Sequence, residues 1–182
     1  LISHYVSKVI AVDREVSMLD EAKQRPDLAS NIEFLEADAM SLPLEANSAD
    51  VALFCLVLHH LEHPEEALRE AARIISNGGR IIIIDMQEHQ HQEYKHTMGN
   101  VHLGVSEADI RSLCSASNLS LTQYPRLRPT IDARGPSPIG AVIQVDPWST
   151  LGNRAIFTTD VPSLTPPQSN VLCSVEPTHP MA

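Results

Sequence analysis

Residues 50–85 read DVALFCLVLHHLEHPEEALREAARIISNGGRIIIID, and this stretch predicts the fold. An apolar run from Val51 to Leu58 is followed by a helical pattern that opens at Pro64, and then by four consecutive isoleucines. Apolar strands of this kind occur mainly in parallel sheets that helices cover on both faces. Because a strand, a helix and a second strand in about 35 residues make a βαβ crossover, the stretch predicts an α/β fold.

The ends of the helix in this unit are marked by residue type. Pro64 suits the first helical position, and the two glutamates that follow it place negative charge at the positive end of the helix dipole. Asn77-Gly78-Gly79 predicts the helix stop, because glycine adopts left-handed backbone at little cost. Ligands of such sheets bind at the carboxyl ends of the strands. Residues 56–60 and Asp85 are therefore expected at the functional edge.

The rest of the chain adds strands on both sides of this unit. The segments Lys8–Asp13 and Ile32–Ala37 predict two strands joined by a helix. The first segment ends in an acid, Asp13, and the second is followed by one, Asp38. Leu119–Tyr124 and Ile139–Val145 predict a closing antiparallel hairpin with a long connection. Ser106 followed by Asp109 resembles a capping box and predicts a helix start.

Composition limits the classes of function. The net charge of −10 argues against a nucleic-acid surface, which needs clustered lysine and arginine. Three widely spaced cysteines form no disulfide framework, which fits a reducing cytoplasm. No apolar run approaches the length of a membrane span, so no membrane partner is expected. The chain starts at Leu1 without an initiator methionine, and we expect it to be a fragment of a longer protein.

The sequence changes character at Asp146. Residues 146–182 are rich in proline and poor in charge, and they predict a disordered tail. The folded domain is therefore expected to span residues 1–145. Two short apolar runs in the tail, Ala155–Phe157 and Val171–Cys173, could dock on that domain.

Two acidic residues follow neighbouring strands. Asp13 ends the first predicted strand, where a carboxylate can accept hydrogen bonds from both ribose hydroxyls of a nucleotide cofactor. Asp38 follows the next strand, where it can accept a hydrogen bond from an exocyclic amine such as that of adenine. Either residue alone could equally be a solvated acid that caps a turn. Because two successive strands end in this way, a nucleoside site is favoured.

Three segments carry a resemblance to a known family: VIAVDREVSMLDEA at 9–22, FLEADAMSLPLEANSADVALFCLVLHHL with its continuation to Asp85, and HLGVSEADIRSLCSASNL at 102–119. Together they resemble a class I S-adenosylmethionine-dependent methyltransferase of the small-molecule type. The last segment is similar to bacterial methyltransferases fused to arsenic-repressor-type regulators. The resemblance implies a Rossmann-like sheet in the order 3-2-1-4-5-7-6, with strand 7 antiparallel.

The resemblance also implies the cofactor and the residues that bind it. S-adenosyl-L-methionine would meet Asp13 at the ribose hydroxyls and Asp38 at the adenine amine. The other implied contacts flank the ribose and adenine, supply backbone to the methionine part or line the pocket, and they are Arg14, Met18, Ala39, Met40, Leu56, Val57 and His60. The implied reaction is methyl transfer to a small-molecule acceptor, with no resident metal.

One part of the family pattern is missing from the sequence. The family carries a glycine-rich loop after its first, central strand, and neither that strand nor that loop precedes Lys8. Gly78-Gly79 is not this loop, because it ends a helix and precedes a strand. We therefore expect a partial sheet that lacks the central strand. An inactive scaffold or interaction module is the alternative function, and a nicotinamide-dependent oxidoreductase is a more distant one.

The histidines have several possible roles. His89, His91 and His96 could form a metal site, although a solvated polar segment over the pocket is the simpler interpretation. In the family this region contributes to the acceptor side, so Glu88, His89, His91 and Tyr94 are candidate substrate contacts. His60 or His89 could act as a base. The sequence identifies neither the acceptor nor the oligomeric state.

Overall fold

The computed structural model describes residues 2–97, 99–127, 137–144 and 170–175. Within them, seven strands form one sheet in the order β2-β1-β7-β3-β4-β6-β5. The strands are β1 Lys8–Asp13, β2 Ile32–Glu36, β3 Ala49–Cys55, β4 Ile75–Met86, β5 Ser120–Gln123, β6 Pro138–Gln144 and β7 Asn170–Val175. The α-helices are α1 Val16–Lys23, α2 Pro64–Ile74, α3 Glu93–Thr97 and α4 Glu107–Ala116, with short 3-10 helices at Ile2–Tyr5 and Leu58–His60.

The predicted βαβ unit is confirmed as β3, α2 and β4, with β3 and β4 parallel. Pro64 occupies the start of α2, as its fixed φ angle favours. The predicted helix stop is wrong by three residues, because α2 ends at Ile74. Ile75 is already extended and pairs with Ala49, so the Asn-Gly-Gly segment belongs to an irregularity within β4.

Gly79 lies at this irregularity, where the close approach of neighbouring backbone atoms predicts that substitution is strongly destabilising. A Cβ on Gly79 would stand 2.6 Å from the backbone oxygen of Asp50 and 2.9 Å from that of Ser76. We expect Gly79→Ala to lower the free energy of unfolding by about 2–3 kcal/mol, because overpacking forces the backbone to shift. Gly78→Ala is the matched control: Gly78 has open space around it and φ of +82°, so only the left-handed backbone costs about 1 kcal/mol. Urea denaturation measures both, and equal losses would contradict the close approach.

Side chains of the central strands alternate between two faces of the sheet. Ile81 and Ile83 are fully buried in the main core, which also contains Leu68 of α2 and Ile110 of α4. Ile82 and Ile84 point to the opposite face and are only partly buried there, against a smaller cluster. The isoleucine run is therefore less completely covered than a strand buried on both faces.

The carboxyl-terminal part of the sheet matches its prediction. β5 and β6 form the closing antiparallel hairpin, and β6 is antiparallel to β4. The capping box at the start of α4 is also confirmed. The Ser106 side-chain oxygen accepts from the backbone N–H of Asp109 at 3.1 Å, and the Asp109 carboxylate accepts from the backbone N–H of Ser106 at 2.9 Å.

The central position of the sheet is filled by β7, which differs from the prediction of a missing strand. β7 runs parallel to β1 on one side and to β3 on the other. Residues 170–175 therefore correct the prediction that all of residues 146–182 form a disordered tail. The rest of that segment, including the apolar run Ala155–Phe157, lies outside the described residues. With β7 counted as the central strand, the order is the one that the resemblance implies.

Candidate cofactor and acceptor site

The two predicted nucleoside acids lie at the same edge of the sheet. β1 and β2 are parallel, with Asp13 paired to Glu36, and Asp38 follows two residues later. In each acid one carboxylate oxygen is fixed by a backbone N–H two residues ahead. Oδ1 of Asp13 accepts from Glu15 and Oδ1 of Asp38 accepts from Met40, both at 2.8 Å. The second oxygen of each has no hydrogen-bond partner among the described residues and is available to a ligand.

The loop that follows Asp38 is fixed to helix α2. Glu70 accepts from the backbone N–H of Leu42 at 2.7 Å, and Arg73 donates to the carbonyl oxygens of Leu42 and Leu44 at 3.2 and 2.9 Å. Arg73 also donates to Glu70, and this hydrogen bond, the largest influence, lowers the pKa of the Glu70 carboxyl. Helix α2 thereby holds the segment that carries Asp38 in one position.

The turn after β3 lies at the same edge. Leu56 adopts the left-handed conformation, with φ of +58°, and its N–H donates to the carbonyl of Ile84 at 2.7 Å. Val57 is buried, and His60 is half-buried and contacts the carbonyl of Gly99 through Nδ1 at 3.3 Å. Non-glycine residues rarely adopt the left-handed conformation, and those that do are concentrated at functional sites.

A buried histidine–aspartate pair holds this turn, and sequence reasoning did not find it. His59 Nδ1 lies 2.5 Å from Oδ1 of Asp85, and the two side chains are 3% and 0% exposed. Asp85 also accepts from the backbone N–H groups of Leu58 and Met86, at 3.0 and 2.7 Å. Burial, and after it the Asp85 carboxylate, raises the pKa of the Cys55 thiol, which stays protonated. The signal in the sequence was an acid that ends a buried strand opposite a histidine pair.

The same pair connects the turn to the segment that follows β4. The carbonyl oxygen of His59 accepts from the N–H groups of Val101 and His102, at 3.0 and 2.9 Å. His102 Nε2 lies 2.9 Å from the carbonyl oxygen of Leu61. The turn that carries predicted cofactor contacts is thus fixed to the loop at residues 99–102.

That loop borders a cleft of about 440 Å³, a volume within the range of small-molecule sites. The cleft lies between the turn after β3, the segment after β4 and helix α4. Its lining mixes apolar and polar side chains: Leu58, Pro64, Glu88, His89, Gln90, Lys95, Val101, His102, Leu103, Gly104, Val105, Asp109, Ser112 and Leu113. Two of the four predicted substrate contacts, Glu88 and His89, line it, whereas His91 and Tyr94 surround His89 with ring centroids at 5.3 Å.

The predicted cofactor residues are not all brought together. None of the nine lines the 440 Å³ cleft. Ala39 borders a separate small apolar cavity beside Val12 and Leu42. Arg14 is exposed, and its guanidinium lies 3.8 Å from Glu15. Met18 and Met40 are half-buried. The arrangement forms a nucleoside edge at β1 and β2 and a separate cleft beyond β3 and β4.

The donor set fits the adenosine half of a nucleoside cofactor. Two carboxylates project from adjacent strand ends, each with one oxygen held by its own backbone and the other available to hydroxyl or amine donors. Residues 176–182, which follow the central strand β7 in the sequence, contain no glycine. The fit therefore covers the adenosine and not the methionine part.

The same architecture occurs in known proteins. Residues 1–83 match the family model described as a methyltransferase domain. An S-adenosylmethionine-dependent methyltransferase from Mesorhizobium loti superposes with a TM-score of 0.61 at 19% identity, covering 76% of this chain and 80% of that chain. A second, from Methanosarcina mazei, gives 0.61 at 13% identity and covers 80% and 85%. The chain has the class I methyltransferase fold.

Sequence relatives cover a smaller part of this methyltransferase fold. A ubiquinone/menaquinone biosynthesis C-methyltransferase UbiE from Ectopseudomonas mendocina is 32% identical over 84 residues, which are 44% of this chain and 33% of that protein. The chain thus spans about a third of the length of such relatives. Within the described residues no helix is long and apolar enough to cross a membrane.

The histidine-rich segment of this methyltransferase fold does not group its side chains around one point. Among the residues that the structure describes, no set of three or more histidine, cysteine or acidic side chains could hold a metal ion. The Nδ1 atom of His89 already accepts the backbone N–H of His91 at 3.1 Å, so this lone pair is occupied.

Proposed function

We propose that the protein to which this chain belongs binds S-adenosyl-L-methionine and transfers its methyl group to a small-molecule acceptor. The observation that carries the proposal is the pair Asp13 and Asp38, whose free carboxylate oxygens lie on adjacent strand ends of a methyltransferase fold. The cofactor supplies an activated methyl group when it is bound. The chain's own residues bind the nucleoside and orient the acceptor.

The roles of the residues follow from their positions. Asp13 would accept the ribose hydroxyls, and Asp38 the adenine amine, with Ala39 and Met40 beside the ring. Leu56 and Val57 would present backbone to the cofactor, on a turn that Asp85 fixes. The 440 Å³ cleft beyond that turn would take the acceptor. Orientation of the reactants is a large part of what such a site contributes to the rate.

Calorimetric titration of this chain with S-adenosylmethionine tests the cofactor site. We expect Asp13→Asn and Asp38→Asn each to weaken binding by about tenfold or more, because a hydrogen bond to a charged group contributes about 1.5–3 kcal/mol. Asp27→Asn is the control: it makes the same change in an exposed connection that leads into the amino end of β2.

The result also separates this function from the alternative one. Binding by the unaltered chain that neither Asp13→Asn nor Asp38→Asn weakens would overturn the assignment of the nucleoside edge. Absence of any binding by the unaltered chain would favour a scaffold that does not itself bind the cofactor. An equal loss in Asp27→Asn would mean that the effect is one of net charge.

A further inference from the structure

His89 carries its ring proton on a defined nitrogen. Its Nδ1 accepts a hydrogen bond from the backbone N–H of His91, so in the neutral ring the proton is on Nε2. Burial, followed by the nearby His91, lowers the pKa of His89, which keeps the ring neutral at pH 7. His89 is therefore a hydrogen-bond donor through Nε2.

This donor is buried and has no acceptor among the described residues. Buried polar groups in folded proteins are nearly always paired, and an exception calls for an explanation such as a ligand or an ordered water. The ring cannot turn freely to find another partner. The ring is held by the hydrogen bond that Nδ1 accepts from the His91 N–H at 3.1 Å and by an edge-to-face contact with Tyr94.

Asn100 is a second buried polar side chain in the same segment. The residue is 4% exposed, and neither its amide nitrogen nor its oxygen has a partner within the part of the chain that is described. It precedes Val101 and His102, both of which line the cleft. Two polar side chains without partners therefore lie in the segment that borders the cleft. This indicates that the segment binds a polar group of a ligand.

The chemistry of the cleft limits what can enter. The lining contains one lysine, Lys95, and two acids, Glu88 and Asp109. Basic groups therefore do not dominate the cleft, which is poorly suited to an anion. Leu58, Leu103 and Leu113 provide apolar surface. A small uncharged molecule with an apolar body and one oxygen acceptor matches these properties.

We propose that this cleft binds an uncharged, largely apolar small molecule through a hydroxyl or carbonyl oxygen that accepts a hydrogen bond from Nε2 of His89. As the acceptor subsite it rests on the proposed methyl transfer, but binding itself does not require the cofactor. His89 is then the residue that selects an oxygen-bearing ligand over its hydrocarbon analogue.

The probes are p-cresol and toluene, which share one skeleton and differ in the hydroxyl group. Binding to the full chain is followed by NMR, with the His89 ring ¹⁵N signals as the local readout. We expect p-cresol to bind about tenfold more tightly than toluene and to shift the Nε2 signal, because the pair of probes differs by one hydrogen bond.

Three variants test the assignment. His89→Phe should remove the preference for p-cresol, because it deletes the Nε2 donor. The change also deletes the Nδ1 acceptor of the His91 N–H, so circular dichroism checks that the variant is folded. His89→Gln, which keeps an N–H donor, should retain part of the preference. His4→Phe is the matched control, since it makes the same change at an exposed histidine that does not line the cleft, and it should behave as the unaltered chain.

The proposal would be overturned if the unaltered chain did not prefer p-cresol to toluene. It would also be overturned if His89→Phe kept the full preference. The probes are used without S-adenosylmethionine, so the two proposals are tested separately. If the chain prefers p-cresol but does not bind the cofactor, the proposed function is contradicted and the ligand site in the cleft is supported.

Discussion

Replacing Asp85 with alanine is expected to lower the free energy of unfolding by about 3 kcal/mol or more, because the carboxyl group is the shared acceptor of three buried hydrogen bonds. The carboxylate is fully buried and accepts from the His59 ring and from the N–H groups of Leu58 and Met86. Alanine would leave all three donors without an acceptor in the protein interior, and each unpaired buried donor costs about 1–3 kcal/mol. Urea denaturation followed by circular dichroism measures the loss.

Asp20→Ala provides the matched control for this prediction. Asp20 makes one exposed ion pair with Lys23 at 2.9 Å, and such pairs contribute about 0–1 kcal/mol. A double-mutant cycle of Asp85→Leu with His59→Leu should show a coupling of about 1 kcal/mol or more, because the residues are in direct contact. Equal losses in Asp85→Ala and Asp20→Ala would show that the pair does not hold the turn.

Asp85→Ala should also disturb the loop beside the cleft, because hydrogen bonds connect Asp85 to that loop through His59. The carbonyl of His59 holds the N–H groups of Val101 and His102, and the Asp85 carboxylate holds His59. If the turn loosens, the loop that borders the cleft loses two hydrogen bonds as well. Asp85 thus fixes, from one buried position, both the turn proposed to contact the cofactor and the loop beside the proposed acceptor cleft.

Local sequence rules predicted most of the sheet. The apolar runs at Val51 and Ile81, the proline at residue 64 and the capping box at Ser106 specify their elements by short-range chemistry, and the structure has all four. The helix stop was misplaced because Ile75 gains more from pairing with Ala49 in the sheet than from another helical turn. Tertiary pairing overrode a local signal.

The site was less predictable because it depends on contacts distant in sequence. Asp13 and Asp38 could be placed at one edge because parallel strands bring their carboxyl ends together. The partnership of His59 with Asp85 joins residues 26 positions apart and depends on side-chain direction, which strand patterns do not specify. The tautomer of His89, by contrast, follows from a local contact, the backbone N–H of His91, but depends on a ring orientation that the sequence pattern does not specify.

The central strand shows most clearly how pairing across the chain decides the structure. β1 and β3 would each present a row of unpaired N–H and C=O groups toward the centre of the sheet if no strand lay between them. Residues 170–175 pair with both, so that Ile10 and Ala52 flank Leu172 on its two sides. Proline-rich surroundings predicted disorder for this segment, but a six-residue segment with the apolar run Val171–Cys173 suffices for a strand when both of its neighbours pair with it.

Leu172→Pro is therefore expected to lower the free energy of unfolding by about 3 kcal/mol or more beyond the effect of Leu172→Ala. Proline has no N–H for the ladder and its ring disrupts a central strand, whereas alanine keeps the backbone donor. The difference between the two variants isolates the backbone contribution of β7, and chemical denaturation measures it. If both variants unfold at the same denaturant concentration, β7 does not pair with β1 and β3 in solution, and the centre of the sheet is filled by another segment.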